Sequence, residues 1–142
     1  MTDSKQQHVE TFGASGAGKG WPTKVSITGT EWKIQVDEPK ENGGNNSGPN
    51  PMQLFAASLA GCQNEQAQVV AEELSMAIAK IEIDVAIDLA GFMGLTEDSN
   101  GSYKHVRLTT IVHGVVTDEQ VKELGTKVDS RCPILALLRN SG

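Results

Sequence analysis

Apolar and polar positions alternate in two short stretches near the start of the chain. Val25 and Ile27 share one face, and Trp32, Ile34 and Val36 share one face, the two-residue period of β-strands. Thr28-Gly29-Thr30 between them suits a tight hairpin turn. From Met52 to about Leu74 the period becomes helical, and Pro51 suits the entry because it has no N–H to leave unpaired. The first half of this helix, Leu54-Phe55-Ala56-Ala57-Ser58-Leu59-Ala60-Gly61-Cys62, is apolar nearly all round, which predicts burial on most sides. The second half is polar, with Ala67, Val70, Ala71 and Leu74 at helical spacing, and is expected to emerge from the core. At about 1.5 Å per residue the helix is about 34 Å long. That roughly spans a domain of this size and points to a larger, shared core.

The period then returns to two. Ile81, Ile83, Val85, Ile87 and Leu89 alternate with Glu82, Asp84 and Asp88, the pattern of a half-buried strand. A loop is expected over Gly91–Tyr103, carrying Asp98-Ser99-Asn100-Gly101, and Val106, Leu108, Thr110 and Val112 predict a strand antiparallel to the last. Thr117-Asp118-Glu119-Gln120 has the form of a capping box and opens a helix with Val121, Leu124 and Val128 on one face. Cys132-Pro133 starts a short third helix containing Ile134, Leu135, Leu137 and Leu138. Strands and helices are segregated rather than alternating. The expected class is α+β with an antiparallel sheet, one domain over residues 1–142.

Two stretches have no period. The first twenty residues, with Gly13, Gly16, Gly18 and Gly20, are weakly ordered by pattern. Gly13-Ala14-Ser15-Gly16-Ala17-Gly18-Lys19-Gly20 matches a phosphate-binding P-loop everywhere but at its last position. That chemistry needs a hydroxyl after the lysine and a helix N-terminus facing the phosphates. Gly20 has no hydroxyl, and Trp21-Pro22 leads into a strand, so a glycine-rich turn is the reading and nucleotide binding is not expected. The second stretch, Asp37–Pro51, is a long loop of turn formers: Glu38-Pro39, Gly43-Gly44, Asn45-Asn46 and Gly48-Pro49-Asn50-Pro51. Loops of this length are often functional.

Composition narrows the function classes. The 142 residues (15.1 kDa) suffice for one domain with a real core, and 38% hydrophobic with 4% aromatic residues makes that core mostly aliphatic. A net charge of −6 and a pI near 5.0, without a basic run, argue against nucleic acid and anionic membranes as partners. No apolar run approaches the roughly 20 residues of a membrane helix. Met1 to Gln7 lacks the apolar stretch of a signal peptide. The cytoplasm is the default compartment.

The chain has two cysteines, Cys62 and Cys132. In a reducing compartment a static structural disulfide is not expected. The plain reading is two buried small hydrophobes; the alternative is a reactive pair. Zinc is not expected, since there is no C-x-x-C and His8, His105 and His113 show no ligand spacing. Cys62 falls where its helix turns from apolar to polar, at a boundary a small apolar substrate could reach. Mid-helix, it gains little from the helix dipole, so a thiolate there would need a separate cation or donor. Cys132 precedes Pro133 at an N-cap, where free amides stabilise a thiolate. Such a pair suits a division of labour, provided the Cα atoms come within about 4.4–6.8 Å.

Four segments together resemble the OsmC/Ohr family, the osmotically inducible protein C and organic hydroperoxide resistance proteins. They are Val36-Asp37-Glu38-Pro39, Gly43-Gly44 with Gly48-Pro49-Asn50-Pro51, the run Leu54 to Cys62 ending Ala60-Gly61-Cys62, and Cys132-Pro133-Ile134. Gly61-Cys62-Gln63 and Asp88-Leu89-Ala90-Gly91-Phe92-Met93-Gly94 are similar to a less studied OsmC-like branch. The resemblance implies an antiparallel sheet wrapped on a long central helix in an intertwined homodimer, with active sites at the subunit interface. It implies thiol-dependent reduction of organic hydroperoxides, without cofactor or metal. Cys62 matches the peroxidatic cysteine and Cys132 the resolving one. A dithiol or redoxin would reduce the resulting disulfide.

The chain departs from that pattern in three places. The family's peroxidases carry a glutamate ten positions before the reactive cysteine, orienting an arginine; here Met52 stands there, and no arginine precedes Arg107. Lys19 or Lys24 could supply charge but lacks the planar guanidinium fork, so slower or different chemistry is expected. The family's further strand after the last helix has no counterpart before Arg139-Asn140-Ser141-Gly142, so an edge of the sheet is expected to need another cover. The alternative function is a non-catalytic dimer holding a small apolar ligand in its interface pocket.

Overall fold

A computed structural model describes residues 7–90 and 102–140. The chain forms two compact units, Met1–Pro51 and Met52–Gly142.

In the first unit β1 (Ala14–Ala17), β2 (Thr23–Ile27) and β3 (Lys33–Val36) form one antiparallel sheet in the order β1-β2-β3. Val25 stands at its centre, opposite Gly16 on one side and Ile34 on the other. The expected hairpin turn is present, with Gly29 at φ +78° and the Ile27 amide bonded to the Trp32 carbonyl at 3.0 Å. The start of the chain corrects expectation, because Ala14–Ala17 is a strand rather than part of a loose glycine-rich turn. Its small side chains show no alternation, so only backbone pairing to β2 reveals it. With Gly13–Gly20 running from strand into bend, no helix N-terminus follows Lys19.

The loop after β3 is wound around a buried carboxylate. Asp37 is fully buried and accepts hydrogen bonds from the amides of Glu38 (2.8 Å), Asn45 (3.1 Å) and Ser47 (3.0 Å), and from the Ser47 hydroxyl. Burial alone would raise its pKa. The Ser47 hydroxyl and the three amides outweigh burial and take it from its ordinary 3.8 to about 2. The turn requires close approach: a Cβ on Gly44 would stand 2.1 Å from the Glu38 carbonyl oxygen, and one on Gly48 2.1 Å from that of Gln35. A short 3₁₀ helix, Lys40–Asn42, lies within the loop. Glu38 is also buried, and its Oε2 accepts from the Asn50 amide at 3.4 Å.

The second unit is built on α1 (Pro51–Glu73), the hairpin of β4 (Ala77–Ala90) and β5 (Ser102–Val115), α2 (Asp118–Arg131) and α3 (Pro133–Arg139). The two strands are longer than their apolar alternation suggested, because the ladder continues beyond it, pairing Ala77 with Val115 at one end and Ala90 with Ser102 at the other. In register, Ile81, Ile83, Val85 and Ile87 face Val112, Thr110, Leu108 and Val106, so the apolar residues of both strands share a face. The loop expected over Gly91–Tyr103 lies outside the described residues up to 101; β5 already begins at Ser102. The Phe92-Met93-Gly94 part of the family likeness lies outside them too. Thr117 and Gln120 form the expected reciprocal cap of α2, with bonds of 3.1 and 2.9 Å.

The core has two parts. One gathers Ala67, Val70 and Ala71 of α1 with Ile81, Leu124 and Val128. The other gathers Leu59, Cys132 and Leu135. The burial of α1 therefore differs from expectation. Its polar second half carries most of its buried residues, since β4 and α2 residues pack there, while Leu54, Phe55 and Ala56 of the apolar half are only half-buried in the single chain. Among the described residues no helix is long and apolar enough to cross a membrane.

Candidate active site

Cys132 sits at a corner forced by its neighbour. Pro133 disfavours helical backbone at the residue before it, and Cys132 is extended (φ −75°, ψ 110°). It therefore ends α2, where its amide bonds the Val128 carbonyl at 3.0 Å, and caps α3, where its sulfur accepts from the Leu135 amide at 3.5 Å. The corner turns the sulfur inward; Cys132 is 0% exposed. Cys62, on the middle of α1, is half-buried, as the apolar-to-polar change implied.

The two thiols are free and hydrogen-bonded to each other, with Sγ–Sγ 2.9 Å. They meet within one chain. Burial, then the bond to Cys132 and the negative charges of Cys132 and Glu65, push Cys62 up from 9.0 to about 11, against the Ile134 amide. Burial also opposes a thiolate at Cys132. It is outweighed by the hydrogen bond with Cys62, the Leu135 and Ile134 amides and the Gln63 side chain, and the pKa of Cys132 falls. Of the two thiols, Cys132 is thus the more acidic and Cys62 the less. The capping amides act on Cys132 as the sequence implied. For Cys62, of the cation or donor the sequence called for, a donor is present in the Ile134 amide, and the negative charge of Glu65 acts against it.

Beside the thiols lies an apolar cavity of about 670 Å³, walled by Phe55, Val106, Leu108, Leu135 and Leu138, with Arg139 on its border. Val106, Leu108, Leu135 and Leu138 also pack in the cluster that contains both cysteines. One wall of the cavity is therefore the packing around the sulfurs.

Residues 44–142, which include both cysteines, match the family model described as OsmC-like protein. The chain belongs to the OsmC-like protein family. An uncharacterised protein of Acinetobacter baylyi is 31% identical over 97% of this chain and 92% of its own. Among solved structures, an organic hydroperoxide resistance protein OsmC from Legionella pneumophila is 24% identical, with a TM-score of 0.73 over 94% of this chain and 93% of that one. The organic hydroperoxide resistance protein OhrB of Bacillus subtilis is 25% identical, with a TM-score of 0.64 over 92% of each chain. The α+β architecture of this OsmC-like protein is that of the OsmC/Ohr structures.

Met52 is half-buried in the first turn of α1, while Lys19 and Lys24 are exposed in the first unit. The three histidines pair with carboxylates: His8 with Glu10, His105 with Asp88, His113 with Glu82. Among the described residues no group of three or more His, Cys, Asp or Glu side chains is placed to hold a metal ion.

Sequence reasoning missed Gln63. It is 3% exposed, its amide nitrogen has no hydrogen-bond partner, and its side chain acts on Cys132. The signal was a polar residue on the stripe of α1 that also carries Leu59, Ala67 and Val70.

Proposed function

We propose that this OsmC-like protein is a thiol-dependent peroxidase that reduces organic hydroperoxides, with Cys62 attacking and Cys132 resolving. The observation that carries this reading is the 2.9 Å contact between two free thiols next to an apolar cavity. Cys62 takes the attacking role because it is the less buried of the two, whereas Cys132 is fully buried. Cys132 first accepts the Cys62 proton across their hydrogen bond. The Cys62 thiolate displaces alkoxide from the peroxide, forming a sulfenic acid, and the alkoxide takes a proton from water. The Cys132 sulfur then attacks the Cys62 sulfur. Its proton leaves with the sulfenic oxygen as water, and a disulfide forms. A dithiol or a redoxin returns the pair to thiols by exchange. An internal base thus does part of what a nearby arginine would do. The apolar walls favour an alkyl peroxide over hydrogen peroxide.

The half-covered apolar part of α1 and Leu137, 67% exposed, support the homodimer, with each chain contributing a single OsmC-like domain. A thiol cycle with a dithiol reductant fits a reducing cytoplasm. The test is peroxide consumption with cumene hydroperoxide and a dithiol. Wild type should turn over and Cys62→Ser should lose the activity; equal, slow loss in both would overturn the reading.

One observation favours a second reading. With Cys62 pushed up to about 11 the cavity could serve as a binding site for a small apolar ligand without turnover. Native mass spectrometry showing a retained apolar ligand, together with no thiol oxidation by peroxide, would select it.

A further inference from the structure

The last turn of α2, Asp129-Ser130-Arg131, carries no apolar side chain, although Cys132 follows it directly. Before that turn Val128 is held in the core, and after it the Cys132 sulfur meets Cys62. The turn itself is tied to α1 by an ion pair: Nη1 of Arg131 donates to Oε1 and Oε2 of Glu73 at 2.9 and 2.8 Å. Asp129 braces the corner from the other side, pairing with Arg139 of α3 at 3.5 Å. Glu73 is the last residue of α1 and Arg131 the last of α2. α1 has no basic residue in its last turn, so the Glu73 carboxylate stands at a helix end of its own sign and needs a cation from elsewhere. Arg131 supplies it, and one guanidinium thereby serves the C-termini of both helices. The same two helices fix the sulfurs: Cys62 lies on α1 with Glu73, and Cys132 adjoins Arg131.

We infer that Glu73 and Arg131 are positioning residues, whose ion pair holds the Cys132 corner in the arrangement from which the disulfide closes. This rests on the dithiol of the peroxidase reading, and it adds the groups that set how readily that dithiol closes. The disulfide exists only with the corner in place, whereas the free thiols also tolerate a corner that strays from α1. An interaction made only by the docked corner therefore stabilises the disulfide more than it stabilises the thiols. The two side chains are 38% and 47% exposed, so the pair supplies a factor of about three and not orders of magnitude.

The experiment equilibrates the protein with mixtures of oxidised and reduced dithiothreitol and reads the oxidised fraction by intact mass. Oxidised dithiothreitol takes the two electrons and two protons of the thiols, and the Cys62–Cys132 bond forms as its ring disulfide opens. Glu73→Gln and Arg131→Gln should each lower the exchange constant about threefold, and the double variant should fall no further. The charge swap, Glu73→Arg with Arg131→Glu, should restore it. In wild type 1 M salt should lower the constant in the same direction by screening the pair, which needs no variant to fold, and it should leave Glu73→Gln unmoved. A constant at the wild-type value in both single variants, with stability lost equally from the oxidised and reduced forms, overturns the inference and leaves the pair structural only. A wild-type pair that forms no disulfide with oxidised dithiothreitol overturns it as well. No peroxide enters the measurement, so a protein that fails to turn over cumene hydroperoxide still tests the clamp, and an active peroxidase with unmoved constants sinks the clamp alone.

Discussion

Cys132 ends α2 and caps α3, and from that corner its sulfur lies 2.9 Å from the sulfur of Cys62 on the middle of α1. A disulfide needs about 2.05 Å, so the two sulfurs must close by less than about 1 Å. Leu124 and Val128 fix α2 on the second half of α1, which fixes the corner. The pair is assembled by the same packing that stabilises the fold, and its two sulfurs share a hydrogen bond before any oxidant arrives.

That sharing sets the pH behaviour of Cys62. In wild type its alkylation by iodoacetamide should climb toward a midpoint near 11. Cys132→Ser removes the hydrogen bond and the charge that raise it, so the midpoint should fall. Alkylation rates against pH, read by mass spectrometry of the Cys62 peptide, check this. A midpoint that stays or climbs places the proton elsewhere.

The Asp37 loop should be the acid-labile part of the first unit. Its folded-state pKa is about 2, below its ordinary 3.8. The ionised carboxylate therefore contributes stability that is complete above 3.8 and disappears as pH falls through about 2. Asp37→Asn should lower stability at neutral pH and flatten the acid limb of a pH–stability curve. An acid limb of unchanged slope would show that another group controls it.

Two glycines should respond in opposite directions. Gly44→Ala drives a Cβ against the Glu38 carbonyl and should cost about 2 kcal/mol by overpacking. Gly125→Ala, in α2 with nothing within 4 Å of the new Cβ, should stabilise by about 1 kcal/mol through helix propensity. Urea unfolding of both variants measures the pair.

Much of this was legible because it is local. The Thr117–Gln120 cap, the Cys132-Pro133 corner, the Leu124 and Val128 face and the alternation along β4 and β5 each follow from neighbours a few positions apart. β1 was not legible, since Ala14-Ser15-Gly16-Ala17 carries no apolar alternation and exists through pairing with Lys24–Ile27. The half-covered Leu54–Ala56 segment of α1 misled, because apolar character says that a surface must be covered and not by which chain. At the site, the identity and capping of Cys132 could be read, but its approach to Cys62 depends on how three helices pack. The burial of Gln63 and Asp37 was not legible for a shared reason: a polar residue shows its burial only once its surroundings are in place.

The most direct test of the dithiol is a single turnover. Reduced protein mixed with one equivalent of cumene hydroperoxide should lose two hydrogen atoms by intact mass, with Cys62 and Cys132 recovered in one cross-linked peptide pair. Cys132→Ser should instead stop at a Cys62 sulfenic acid trapped by dimedone. Both thiols remaining reduced after the peroxide is added, or Cys62 oxidised while Cys132 stays alkylatable, would contradict the account.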